Sequence, residues 1–175
     1  MKKTVCVYHG TRSTAESGLG RRFRARDASV EAKRIALLYG VSEEDIRASE
    51  QFRVAQRDID EARRMLAVTG HFQTAERYAT HGSDVIGLLL DAVWEIRGET
   101  FNDARHEVFL SQHLSRYEGE PIVLEFRLSR EELLARGCAP EQLDKPFSEC
   151  FLPERLAAAS FTGHWLRGEY VPRGF

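Results

Sequence analysis

Val5-Cys6-Val7-Tyr8-His9-Gly10-Thr11 is the stretch that decides how this 175-residue chain is read. The β-branched and aromatic residues of Val5 to Tyr8 describe a short buried strand. Its end carries His9 followed by Gly10. A glycine there exposes backbone that a ligand can approach closely, and the histidine places an imidazole beside it. Taken alone, the stretch also fits a strand running into a turn.

Two later segments change its weight. Ala75-Glu76-Arg77-Tyr78-Ala79 sits mid-chain, and Ser148-Glu149-Cys150-Phe151-Leu152-Pro153 sits late. Between them, Pro121 to Leu128 is the clearest strand. Asp27 or Ser29 caps a helix that runs to Tyr39 and stops at Gly40. Ser42-Glu43-Glu44-Asp45 starts another helical stretch, and Ile46 to Val68 reads as helix ending before Gly70. His71-Phe72-Gln73 reads as a short extended entry, with Thr74 capping a helix through Tyr78. Val85, Ile86, Leu89, Leu90, Val93 and Trp94 repeat at helical spacing within a helix from Ser83 to Ile96. Residues 105 to 117 read equally as helix or as strand and turn. Ser129 and Glu132 form a capping box. Glu149 to Leu152 reads as a short strand ended by Pro153, and Leu156 to Thr162 as the last strand. Strands and helices without regular alternation predict an α+β fold. The whole chain, 1–175, reads as one domain with a helical insert at about 27–69.

Bulk composition narrows the function classes. Hydrophobic residues make up 42%, charged residues 30%, and the formal net charge is −2. The chain is therefore no polycation built for non-specific nucleic-acid binding. No stretch reaches membrane-spanning length, so no membrane partner is expected. Cys6, Cys138 and Cys150 are widely spaced, and reduced thiols in a cytoplasmic protein are the simplest expectation. No metal site is expected: His71 and His81 are ten apart, and His106 and His113 lack a third ligand. Cys150 with His164 has no flanking motif for a nucleophile pair.

Together, Tyr8-His9-Gly10-Thr11, Ala75-Glu76-Arg77-Tyr78-Ala79 and Glu149-Cys150-Phe151-Leu152 resemble the ADP-ribosyltransferase superfamily, on the branch shared by diphtheria-type toxins and poly(ADP-ribose) polymerases. That branch carries His, Tyr and Glu in this chain order. The resemblance implies a split β-sheet core, here with a helical insertion after the first strand. It implies NAD+ as co-substrate and transfer of ADP-ribose to an intracellular protein or nucleic acid, in the manner of a toxin or defence effector. The catalytic set implied is His9, Tyr78 and Glu149. His9 would bond a ribose hydroxyl, and Gly10 and Thr11 would line the cofactor at the strand end, with Gly10 gripping the carboxamide through its backbone. Tyr78 would stack on the nicotinamide ring, and Glu149 would stabilise positive charge on the ribose.

Each residue keeps an ordinary reading beside this one. His9 also fits a structural histidine, Tyr78 a half-buried helix tyrosine, and Glu149 a solvent-facing strand residue. Arg12, Arg21, Arg22, Arg24 and Arg26 form a basic loop that fits either a solvated segment or a phosphate grip, with Arg12 or Arg21 making the contact. Phe147 stands two positions before Glu149, where the family often has an acidic or amide residue when it modifies arginine. That departure counts against arginine as acceptor and keeps nucleic-acid acceptors open. The insert could cover the NAD+ cleft, bind a neutralising partner protein or recognise the acceptor. Two alternatives remain: a non-catalytic nucleotide- or partner-binding module of the same fold, and an NAD+-dependent RNA 2′-phosphotransferase. The His-Tyr-Glu order speaks against the latter.

Overall fold

The computed structural model describes residues 4–13, 27–61, 65–81, 84–99, 103–117 and 119–174. In chain order the elements are β1 (Thr4–Ser13), α1 (Ala28–Tyr39), α2 (Glu43–Ala48), α3 (Glu50–Glu61), β2 (Met65–Val68), α4 (Phe72–His81), α5 (Asp84–Ile96), α6 (Asp103–Tyr117), β3 (Glu120–Ser129), α7 (Arg130–Leu134), α8 (Pro140–Leu143), β4 (Cys150–Pro153), α9 (Glu154–Ser160), β5 (Phe161–Leu166) and β6 (Glu169–Pro172). The fold is mixed α+β, and all the strand pairs are antiparallel. No helix among the described residues is long and apolar enough to cross a membrane.

Four strands form one sheet in the order β1-β3-β5-β6, and β2 pairs with β4 in a second. β1 and β3 run side by side from Thr4↔Ser129 to Ser13↔Glu120. The alternation of side chains along these strands assigns the two faces of the larger sheet. Val7, Ile122, Leu124, Phe126 and Leu128 pack with Leu66, Val68, Cys150 and Leu152 of the smaller sheet. Val123 points the other way, where it joins Ala75 and Ala79 of α4, with Tyr8, Phe72 and Trp165 packed around them. Arg167 and Gly168 turn β5 into β6, both at positive φ, as a two-residue type I′ hairpin requires.

The chain divides into two compact units. One comprises Met1–Arg24, Arg64–Thr80 and Glu120–Phe175, and holds both sheets. The other comprises Ala25–Arg63 and His81–Gly119 and is helical. Its core is built from Ile35, Ile46, Ile86, Leu89, Leu90 and Leu114. Asp27 caps α1 by accepting from the N–H groups of Ser29 and Val30, and Gly40 ends it in the left-handed conformation. The capping box of Ser129 and Glu132 starts α7.

Several expectations are corrected. Helix does not continue to Val68: Met65–Val68 is a strand, because Leu66 and Val68 alternate into the core opposite Leu152 and Cys150. Residues 71–73 are not an extended entry. Helix α4 starts at Phe72, and Thr74 is buried inside it rather than capping it. Residues 154–160 are helical, and the strand starts only at Phe161. Residues 105–117 resolve as helix. Reduced thiols hold for Cys6 alone, since Cys138 and Cys150 form a disulfide. That bond excludes Cys150 as a nucleophile, and the cysteine pattern no longer argues for a reducing compartment.

Candidate active site at the fork of two strands

β1 and β2 touch at one rung. Tyr8 donates its N–H to Thr69 O at 2.7 Å, and Thr69 returns its own to Tyr8 O at 2.9 Å. Beyond it, β1 continues along β3 without a second rung to β2 among the described residues. His9 occupies the fork. Its Nδ1 lies 2.7 Å from Ala67 O. A carbonyl only accepts, so Nδ1 carries a proton, which in the neutral ring leaves Nε2 as the acceptor. His9 thus has a structural bond and a defined tautomer at once. Thr11 is on the same face of β1 as His9, two residues further along.

The register also fixes where Gly10 aims its backbone. Successive residues of an antiparallel strand direct N–H and C=O to opposite edges, so every second residue shares an edge. Tyr8 directs its pair toward β2, so Gly10 directs its pair to that same edge, one step past the rung. The side-chain position of Gly10 is filled by helix: a Cβ there would lie 1.8 Å from Ala75 O and 2.7 Å from Ala79 N. Small residues at 75 and 79 let α4 seat on the glycine, and both are buried. Gly10 is therefore required by packing, while its donor and acceptor face the β2 edge.

Glu149 directly precedes β4. Cys150 pairs with Val68, the residue before Thr69, and exposed Glu149 is the residue before Cys150. The Cys138–Cys150 disulfide anchors the position next to it. Thr69 is buried; its hydroxyl accepts from His71 N–H at 3.1 Å. Gly70 N–H donates to Leu143 O at 3.0 Å, tying the β2–α4 junction to α8. Tyr78 is half-buried on α4, one turn beyond Thr74 on the same helix stripe. The Thr74 hydroxyl accepts from Phe147 N–H at 3.3 Å. Phe147 has φ 61°, a conformation that costs a non-glycine residue energy, and the residue is 58% exposed. The Arg77 guanidinium stands 5.3 Å from that ring.

Arg12 reaches the end of α4. Its Nε donates to Ala79 O at 2.9 Å and its Nη2 to Thr80 O at 3.2 Å, closing the last turn of α4. Arg21, with Arg22, Arg24 and Arg26, lies outside the described residues. His106 and His113 both belong to α6. His113 is fully buried with Nε2 3.3 Å from Glu31 Oε2, while His106 Nδ1 lies 4.0 Å from Asp91. No group of three metal-ligating side chains occurs among the described residues.

Sequence reasoning missed two features of this unit. Thr69 carries no motif, and only pairing shows its place. Glu125 did carry a signal, as the one acid within the apolar run Ile122 to Phe126. It is 4% exposed, accepts from Trp165 Nε1 at 3.2 Å and Thr162 Oγ1 at 3.1 Å, and meets Arg127 Nε at 3.4 Å. Burial, then the charges of Cys6 and Glu125, raise the pKa of Tyr8 above its usual value, so its phenol is neutral at physiological pH. Comparison of the chain with family models, curated proteins and solved structures finds no match.

Proposed function

We propose that the protein is an NAD+-dependent mono-ADP-ribosyltransferase acting at this fork. The observation that carries the reading is Gly10: its backbone donor and acceptor face the edge where β1 and β2 part, between His9 and the Glu149 end of β4. That edge matches a carboxamide, which needs one acceptor and one donor side by side. The four-stranded and two-stranded sheets joined at Tyr8 and Thr69 are the feature that compares with a split-sheet core.

In this reading Gly10 holds the carboxamide of NAD+, and Tyr78 supplies a ring for the nicotinamide to stack on. His9 bonds a ribose hydroxyl. Glu149 stabilises the positive charge that grows on the ribose as the bond to nicotinamide breaks. The electron pair of that bond leaves with nicotinamide. A nucleophile on the acceptor bonds to the ribose carbon and gives up its proton. The acceptor is a protein or a nucleic acid, and the exposed Phe147 ring two residues from Glu149 is where it would first touch.

Nicotinamide release from NAD+ tests the reading. Glu149→Gln keeps the side-chain shape and removes the charge, so release should fall by about 100-fold or more while NAD+ still binds. Wild-type turnover in that variant would remove Glu149 from the chemistry. Binding without release in the wild type, with acceptor supplied, would favour a nucleotide-binding module instead.

A further inference from the structure

A cavity of about 650 Å³ opens on the α4 face of the larger sheet. Its lining includes Tyr8, Phe72 and Trp165, but not His9, Tyr78 or Glu149. The size falls in the roughly 300–1,000 Å³ range of small-ligand pockets. We propose that this cavity binds a small organic cation of the quaternary-ammonium type, held by the faces of Tyr8, Phe72 and Trp165.

Ring geometry is the first argument. Phe72 stands at 86° to Tyr8 and 75° to Trp165, with centroids 5.2 Å and 5.4 Å away. Steeply crossed rings present π faces from more than one direction, as an aromatic cage for an alkylated ammonium does. Three other aromatic rings of this protein have one of its own cations over them. Arg47 stands over Phe52, Arg77 over Phe147 and Arg105 over Trp94. Among the described residues, none stands over the three rings of the cavity.

Charge is the second argument. Among the described residues, Glu76 and Glu120 line the cavity with one guanidinium, Arg167, which is bonded to Glu120. Behind the wall, the buried Glu125 carboxylate accepts the Trp165 indole N–H. That bond pushes electron density into the ring and strengthens its pull on a cation. A quaternary ammonium suits the site because it has no N–H groups left to satisfy, and Ala79, Ile122, Val123 and Leu166 make most of the remaining wall apolar beside Thr80. The cavity exceeds a trimethylammonium head, so the ligand also carries an apolar body.

Calorimetric titration of the full chain with choline, benzyltrimethylammonium and 3,3-dimethylbutan-1-ol decides the matter. The alcohol has the shape of choline without its charge. Both cations should bind, benzyltrimethylammonium more tightly, and the alcohol about tenfold or more weaker than choline. Trp165→Leu should lose binding about tenfold. Glu76 is exposed on α4, so Glu76→Gln leaves the fold intact and should weaken choline about threefold. Equal binding of the alcohol and choline would overturn the proposal, as would no binding of either cation. Undiminished choline binding by a folded Trp165→Leu or by Glu76→Gln would do the same. None of these outcomes bears on the transferase reading, whose residues lie outside the cavity lining.

Discussion

Gly10 carries two demands that no other residue meets. Its missing side chain makes room for Ala75 and Ala79 of α4, and its backbone faces the fork. Gly10→Ala forces a methyl into space 1.8 Å from a carbonyl oxygen, so it should cost about 3 kcal/mol in denaturant unfolding. Unchanged stability would mean that α4 does not sit on the strand. His164 offers a second test. Burial lowers its pKa below 6.5 by disfavouring the charged ring. The unfolded chain therefore takes up the proton first as pH falls. Stability from this group is complete above 6.5 and declines as pH falls from there toward the depressed folded value. His164→Gln should flatten the stability profile between pH 7 and 5.5 relative to wild type; identical slopes would reject the assignment. Residues of this kind were partly legible. His9 and Gly10 stood out because glycine after a strand-end histidine is chemically specific, whereas Thr69 acts through pairing that no local pattern encodes.

Among the elements, the short ones separate what sequence can say from what it cannot. Caps and stops are local chemistry, so Asp27, Gly40 and the Ser129–Glu132 box were readable and fall where expected. β2 was not. Met65-Leu66-Ala67-Val68 extends a helix-favouring charged stretch, and only its pairing with β4 makes it a strand. In α9, Leu156 to Ser160 has the apolar content of a strand, yet a helix forms from Glu154, buries Ala157 and leads into β5 at Phe161. The disulfide is equally non-local. It closes the segment from Cys138 to Cys150 that carries α8, Phe147 and Glu149. Cys138→Ser should lower stability by about 3 kcal/mol through the freed loop, measured against wild type without reductant. Reductant added to the wild type should produce the same loss, and no loss in the variant would deny the bond any role.

At the scale of the whole molecule, the α+β class was legible because helical and strand periodicities are both strong. The division into two compact units was less so. Helices α5 and α6 join α1–α3 in one unit although β2 and α4 lie between them in the chain, and such packing is invisible to periodicity. The candidate site was legible as three segments, whereas the β1–β2 rung and the β2–β4 register that relate the first and last of them were not. The account stands on group transfer at that fork. Its most direct test incubates the protein with NAD+ isotopically labelled in its adenosine half and a cell lysate, beside Glu149→Gln. The account predicts label bound covalently to protein or nucleic acid, with matching nicotinamide release, in wild type and not in the variant. Equal labelling by both proteins, or no labelling and no release by the wild type, would contradict it.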